Sequence, residues 1–592
     1  MATFEKKITS LEVKSKFKES VVHKTIIPAR DAINSYFDTS KFHSRLHNLI
    51  EKMKFNFYSH QATALNWILE GNNVIISTPT ASGKSICYIF PILDMLLKSN
   101  AKKSALLVFP LKALAQDQYN KIKAYLKRVG LEPTLVGVYD ADTTAQEKRK
   151  IRNHCKIIIT NPYGLHHYLG HLSLWKNFYE QIGVIVFDEV HVYTGVFGSN
   201  IAFVMRRLRR AAKVFGQEPS WIFCSATIGN PIQLAERLSG LHFKLVDKDG
   251  MERNKKHIWF WNPIFLEHLN KRLSYHQDTR HLFKELILKD FQTLVFAQSR
   301  KMAELQARWA RDAFTNTQKE NQIMAYRAGY PAKIRRNLEK KLRQRNLIGI
   351  SATSALELGI DIGSLDIVIM SGFPGSITSF WQRAGRCGRA SQDALVVFIA
   401  GSDALDQFYI NNPEYFFNKR HEEAIIDLEN PYILKGHLEC AVKEHGLQED
   451  ELSMFGKKAP DVLKELQDDH VIHKIGSKYF YIQTNFPASD VPLSSIPENL
   501  YKVFEFRNGK KKYLTTETES RTFSSLHEGA IFLFMTETYR VENLDLEHKE
   551  VILRKDDVDF YTEPLYETEI VPVQDDGGEC LVPIQDASAT IP

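Results

Sequence analysis

Cysteine is scarce in this chain. Six occur in 592 residues, at positions 87, 155, 224, 387, 440 and 580, and no two are close together. That scatter excludes a disulfide framework and the paired thiols of a zinc finger. It reads as buried free thiols in a reducing compartment, and no zinc is expected. Long apolar runs are also lacking, so no segment is expected to span a membrane. The start, Met1-Ala2-Thr3-Phe4-Glu5-Lys6-Lys7, has no apolar signal-peptide core, so a cytoplasmic location is expected. No repeat of solenoid period is visible. Basic residues are missing after Lys555, while ten acidic residues follow it.

What is present is ordinary for a globular protein: 44% hydrophobic and 25% charged residues. The length exceeds what one core can serve, so three or four domains are expected. The net charge of +7 hides an asymmetry, because residues 1–555 carry 77 basic against 60 acidic residues. A surplus of that size fits a polyanionic partner, most simply nucleic acid. A merely basic soluble protein fits the charge nearly as well.

The most informative stretch is Ser77-Thr78-Pro79-Thr80-Ala81-Ser82-Gly83-Lys84-Ser85, between the apolar runs Asn73–Ile76 and Ile86–Phe90. A buried strand, a loop of small residues and a helix start can turn backbone N–H groups around an anion. Lys84 would reach the outer phosphates, and the Ser85 hydroxyl would ligate Mg²⁺. Thr78 stands where such a phosphate loop usually has its first glycine. Upstream, Phe55-Asn56-Phe57-Tyr58-Ser59-His60-Gln61 offers an aromatic to stack on adenine and an amide to pair with its edge. Gln61 reads equally as a cap on the helix that it opens.

Apolar strands at 104–109, 156–160, 183–187 and 221–224 each end in polar residues. They predict a doubly wound parallel sheet with ligands at the strands' carboxyl ends. Asp188-Glu189 ends the third of these, 104 residues after Lys84. ATP hydrolysis needs a metal-bound carboxylate, a water-orienting carboxylate and late positive charge on the γ-phosphate. Asp188 suits the first with Ser85, and Glu189 the second. His191, with Ser225 and Thr227, would report the nucleotide state to a second lobe. That second α/β set has strands at 293–296, 347–350, 367–370 and 394–399. It carries Gln382-Arg383-Ala384-Gly385-Arg386-Cys387-Gly388-Arg389. Arg386 and Arg389 supply the missing cations only when the lobes close, which is the physical basis of a motor.

The expected organisation is an N-terminal extension (1–50) packed on the first lobe, lobe 1 (51–250), lobe 2 (251–420), a winged-helix-like segment (421–490), a β-rich unit (491–574) and a loose acidic tail (575–592). Helices followed by the hairpin of 471–482 suggest the winged helix. Candidates for gripping a strand are Lys112, Thr160 and Asn161 on lobe 1, and Ser299, Arg300, Ser351 and Thr353 on lobe 2. Arg206–Arg210 reads as a solvated helix face with Leu208 turned inward. Phe380 and Trp381 read as core, and Lys510-Lys511-Lys512 as a solvated turn.

The series Gln61, Thr80–Ser85, Asp188–His191, Ser225–Thr227, Ser351–Asp361 and Gln382–Arg389 resembles superfamily 2 helicases of the DExH type over roughly residues 55–400. Gly359 and Asp361 fall in the fifth of these motifs and are assigned to nucleotide binding. The chain is more closely similar to the Hrq-type and MrfA-type DNA helicases, relatives of the RecQ branch. Tyr58–Gln61, Asp188–Ser199, Ser225–Pro231, and Leu526-His527-Glu528-Gly529-Ala530 with Thr536 and Tyr539 carry that similarity. The resemblance implies an ATP- and Mg²⁺-dependent helicase or translocase on single-stranded or tailed DNA, moving 3′ to 5′, in repair or genome defence. It implies two RecA-like α/β lobes and a winged helix. Such families usually end in a cysteine-rich zinc domain, which is not seen here, so a nuclease or other partner supplying missing functions is also expected. The alternatives are an RNA helicase and an ATP-switched DNA-binding module that recruits a nuclease.

Overall fold

The computed structural model describes residues 4–12, 19–357, 362–363, 365–388, 393–419, 421–494, 500–507, 509–534, 537–558, 560, 562, 570–575 and 578–583. The chain divides into two compact units. One comprises Met1–Tyr275 and Leu356–Ile496, the other His276–Ala355 and Pro497–Pro592.

The first unit is built on a seven-stranded sheet. Its order is Val136–Val138, Ile157–Thr160, Ser104–Val108, Ile182–Phe187, Ser220–Ser225, Val74–Ser77, Lys244–Val246. Every pairing in it is parallel. The strands are short runs of β-branched and other apolar residues, which suits burial on both faces. Alternate side chains feed two separate cores: Val74, Ile76, Leu107 and Val186 one, Ile75, Leu106 and Ile185 the other. This is the first RecA-like domain.

The second RecA-like domain contributes strands to both units. In the first unit, Ile367–Ser371 pairs in parallel with Ala394–Ile399, and that strand with Lys256–Trp261. In the second unit, Thr293–Phe296 and Ile323–Tyr326 flank Gly349–Ala352, also in parallel. The strand expected at 347–350 therefore lies two residues later, and Ser351 is wholly buried within it. Val21–Ile27 pairs antiparallel with Lys256–Trp261. Part of the N-terminal extension thus joins the second domain's sheet, contrary to expectation, because an unpaired strand edge was available there. Helix Ser44–Lys52 does pack on the first domain, through Leu46 and Ile50.

The winged helix consists of helices Pro431–His445 and Ala459–Asp468 and a hairpin, Ile472–Ile475 with Lys478–Tyr481, turning at Gly476. In the second unit a five-stranded sheet runs Lys510–Thr518, Leu500–Arg507, Glu550–Lys555, Glu537–Asp545, Ile531–Phe534. Lys511 and Lys512 lie in a strand, not a turn, and pair with Glu550 and Glu505. Gly578–Pro583 pairs with Ile570–Asp575, so a hairpin strand lies in the stretch expected to be a loose tail. Among the described residues no helix is long and apolar enough to cross a membrane. Cys87, Cys155, Cys224, Cys387 and Cys440 are buried free thiols.

Candidate nucleotide-binding cleft

The phosphate loop, the acidic pair, His191 and the helix that bears Gln382 all lie in the first unit. The loop from Thr78 to Lys84 leaves strand Val74–Ser77 and enters helix Ser85–Lys98. Ala81 and Gly83 have φ of 69° and 80°, and left-handed residues of this kind turn N–H groups into an anion-binding nest. Gly83 is required as glycine twice over, since a Cβ there would also stand 2.5 Å from Gln61 Nε2. Thr78 and Ser82 hydroxyls bond each other at 2.7 Å. Lys84 Nζ donates to the carbonyls of Thr78 and Pro79 at 2.7 and 2.9 Å, holding its charge over the loop. Thr80, Gly83 and Ser85 are half-buried and Ala81 is exposed.

Two residues upstream brace this loop. Gln61 is 1% exposed. Its Oε1 accepts from the Tyr58 N–H at 3.1 Å and its Nε2 donates to the Gly83 carbonyl at 3.1 Å. The capping alternative is thus realised, and the amide is engaged within the protein. His60, given no role by the sequence reading, faces the Ser82 carbonyl through Nε2 at 2.9 Å. Its Nδ1 accepts from the Gly250 N–H, and its ring stacks on Tyr58 at 5.8 Å. Burial lowers its pKa, which fits the neutral tautomer that these partners require.

Asp188 and Glu189 end strand Ile182–Phe187 and are 8% and 5% exposed. Burial, then the neighbouring Glu189 charge, pushes the Asp188 carboxyl well above the usual range. Tyr88 donates to Asp188 Oδ2 at 3.3 Å, and the Glu189 N–H to Oδ1 at 2.8 Å. Glu189 adopts a left-handed φ/ψ of 54°/43°. Its buried Oε2 has no hydrogen-bond partner, with His191 Nδ1 at 3.6 Å.

His191 joins three motifs. Its Nδ1 accepts from the Ala226 N–H at 3.0 Å, so the neutral ring carries its proton on Nε2. That nitrogen lies 2.5 Å from the Gln382 amide, which must therefore present its oxygen. The contact on the first domain is the backbone of Ala226. The expected coupling residues Ser225 and Thr227 flank it, and the Ser225 hydroxyl is turned back onto the Ala226 carbonyl.

Gln382 belongs to helix Ile377–Ala384, which Glu357 organises. Glu357 accepts from Ser379 Oγ at 2.6 Å and Arg383 Nε at 2.8 Å, and its carbonyl accepts from buried Arg386. At the start of this helix Glu422 takes the Ile377 and Thr378 N–H groups at 2.6 and 3.0 Å. Gly385 touches the phosphate loop: a Cβ there would stand 2.5 Å from Thr80 Oγ1. Arg389, Gly359 and Asp361, and also Thr536, lie outside the described residues.

The proposed strand-gripping residues are less uniform. Lys112 is exposed and paired with Asp142 at 2.8 Å. Thr160 is buried, and its hydroxyl donates to the Tyr139 carbonyl at 2.8 Å, so it presents no side-chain donor at the surface. Asn161 caps helix Pro162–Tyr168 through Gly164 N–H. Ser299 caps helix Arg300–Asp312, Arg300 is bonded to Glu517, and Thr353 is half-buried. Ser351 is enclosed. Arg206, Arg207 and Arg210 are buried, contrary to the expected solvated face; Arg207 is 0% exposed. Their partners include Glu444 and Glu451 of the winged-helix segment, remote in sequence. Phe380 is core, as expected, and Trp381 is half-buried.

A phosphate loop, an acidic pair beside it and an arginine-bearing helix against it define a two-domain, ATP-driven motor. Three family models match the chain: DEAD/DEAH box helicase over residues 58–235, Helicase conserved C-terminal domain over 278–391, and the winged helix domain of ATP-dependent helicase HRQ1 over 426–496. The uncharacterized ATP-dependent helicase YprA of Bacillus subtilis is 37% identical over 94% of this chain and 74% of that one. ATP-dependent helicase HRQ1 of Saccharomyces cerevisiae is 34% identical over 87% of this chain, but this chain spans only 49% of its length. The crystal structure of the DUF1998 helicase MrfA bound to DNA matches with a TM-score of 0.90 at 35% identity, covering 97% of this chain and 76% of that one. The chain belongs to the superfamily 2 DEAD/DEAH box helicases of the Hrq/MrfA type. It is an ATP-hydrolysing helicase.

Proposed function

We propose that this helicase acts on DNA, moving 3′ to 5′ along single-stranded or tailed substrates, in repair or genome defence. The observation that carries the motor reading is the His191 bridge, which joins the acidic pair, the Ala226 loop and Gln382 in one chain of contacts. The choice of DNA is supported by the relatives, since MrfA is bound to DNA in one structure and to DNA and AMPPNP in another. The domain limits inferred from the sequence are proposed with it, except the one at 574/575, which the hairpin of Ile570–Asp575 with Gly578–Pro583 crosses; a nuclease or other partner is proposed for functions outside this chain.

The residues present fit ATP and its metal. The loop N–H groups and Lys84 bind the phosphates. Ser85 and Asp188 would hold Mg²⁺, which supplies neutralising positive charge when bound. Glu189 Oε2, buried and without a donor, accepts a proton from water and orients it. Arg386 reaches the phosphates only by leaving the Glu357 carbonyl, so its charge arrives with rearrangement of the helix. Arg389, the second proposed cation, acts beside it.

The test is strand displacement on matched DNA and RNA duplexes with 3′ or 5′ tails, with the inactive Glu189→Gln protein as control. Unwinding of 3′-tailed DNA alone is expected. Stimulation by RNA only would overturn the choice of DNA, and displacement only with 5′ tails would overturn the direction.

A further inference from the structure

The second unit holds a cleft that the ATPase chemistry does not use. It lies between helix Arg300–Asp312 and the five-stranded sheet and measures about 90 Å³, room for several waters. Arg300, Lys301, Arg327 and Arg521 line it, with Glu517 as the one carboxylate among the described residues of its wall.

Arg327 is the unusual member. It is 2% exposed, and its guanidinium lies over the rings of Tyr330, Phe532 and Phe534 at 5.3, 5.2 and 5.0 Å. Two carboxylates stand near it, but at ion-pair distance only. Nε is 3.5 Å from Glu304 Oε1, and Nη1 is 3.7 Å from Glu517 Oε1. Glu304 Oε1 accepts from the Tyr330 hydroxyl at 2.5 Å, and Glu517 accepts from Arg300 Nη1 through Oε2 at 2.6 Å, while Glu517 Oε1, the oxygen nearer Arg327, is buried without a hydrogen-bond donor. Arg327 Nε and Nη2 are buried with no hydrogen-bond acceptor. Burying charged donors without acceptors is costly, and aromatic faces repay only part of that cost.

Arg521 stands at the mouth, its side chain 35% exposed and its Nε 3.8 Å from Glu517 Oε2. Among the described residues, Arg300, Lys301, Arg327 and Arg521 line the cleft with Glu517, and Glu304 stands beside Arg327. A planar guanidinium with two open donors matches a tetrahedral oxyanion better than a water or a cation.

We propose that this cleft binds a phosphate group, with Arg327 as the buried donor and Arg521 closing over it from the mouth. The group belongs either to a nucleic-acid strand or to free inorganic phosphate, which present the same chemistry. In the first case the proposal rests on the nucleic-acid reading above; in the second it stands alone.

The experiment uses the full chain carrying Lys84→Ala, which removes the phosphate loop as a competing site, with and without Arg521→Gln. Two titrations are read: inorganic phosphate against chloride at equal ionic strength, by thermal midpoint and ³¹P line broadening, and a fluorescent single-stranded oligonucleotide across a salt series. For a strand phosphate, Arg521→Gln weakens oligonucleotide binding about tenfold and lowers the salt slope by about one. For free phosphate, it removes the phosphate-induced shift and leaves the strand affinity as it was. Arg521→Lys, which keeps the charge and loses the fork, is expected to fall between. The proposal is overturned if Arg521→Gln matches its parent in both titrations. A motor that fails to hydrolyse ATP leaves both readouts intact, so the two readings fail separately.

Discussion

Glu189 is held at a left-handed backbone conformation that a glutamate rarely adopts. Strain of this kind costs about 1–3 kcal/mol and persists where the surroundings enforce it. Here it places a buried, unpartnered carboxylate oxygen beside the phosphate loop. Glu189→Gln keeps the shape and loses the proton acceptor. Turnover is therefore expected to fall at least about 100-fold with ATP binding retained, and near-normal hydrolysis would remove Glu189 from this role. Lys84→Ala deletes the charge over the loop, so nucleotide affinity itself should weaken; an unchanged dissociation constant would count against the cradle. Gly385 makes a different prediction. A methyl group there meets Thr80 Oγ1 at 2.5 Å and the Trp381 and Gln382 carbonyls at 3.2 and 3.3 Å. Overpacking of that sort costs about 1–3 kcal/mol. Gly385→Ala should reduce kcat/KM for ATP by roughly five- to a hundredfold, and Thr80→Ala should recover part of the loss. No recovery would place the damage within the arginine helix and not at its contact with the loop.

At the scale of elements, helix Gly195–Val214 is anchored to the winged helix through charge. Arg207 donates to Glu444 at 2.8 Å and to the Nδ1 atoms of His166 and His437 at 2.8 and 3.1 Å. His437 Nε2–H donates in turn to Asn200 Oδ1 at 3.0 Å. Removing one member of a buried ion pair costs about 3–5 kcal/mol, so Arg207→Ala should lower the thermal midpoint clearly and release the winged helix to proteolysis. Both histidines are held neutral by burial and by the Arg207 charge, His166 down to about 2 and His437 well below its ordinary value. The unfolded chain then binds protons first as pH falls. Stability should therefore be level above about pH 6.5 and decline below it, by about 1.4 kcal/mol per unit for each histidine. A flat profile between pH 6.5 and 5 in denaturant titrations would contradict that assignment. This anchor is not legible in the local sequence. The motifs were legible because each is a short loop at the end of its own strand, so neighbours in the chain are neighbours in the site. Arg206–Arg210 looks solvated locally, because His437 lies 230 residues further on. The same holds for strand Val21–Ile27, whose partner Lys256–Trp261 comes more than 220 residues later, and for Thr160, whose hydroxyl is taken by Tyr139.

For the molecule as a motor, the question is how hydrolysis becomes movement, and the first unit offers one continuous route. Segment 421–427 is pinned to the first domain: Ala424 pairs with Asn230, Ile425 accepts from Gly195, and Asp427 bonds Ser199. Glu422 in the same segment holds the start of the helix carrying Gln382. His191 closes the loop by meeting Gln382 at the other end of that helix. The helix is therefore gripped from the first domain at both ends, once by a strap beyond the chemistry and once by a ring beside Glu189. His191→Ala cuts only the second grip and leaves the phosphate loop, Asp188 and Glu189 in place. The Ala226 N–H and the Gln382 amide lose a partner, a loss of about 1–3 kcal/mol, which is about 5- to 150-fold in coupling. Strand displacement should then fall by that factor, while hydrolysis per strand bound falls far less. The measurement is ATP consumed per base pair opened, which should rise in the variant. If displacement and hydrolysis fall in the same ratio, His191 serves the chemical step and not its transmission, and the strap at Glu422 is left as the mechanical link between the domains.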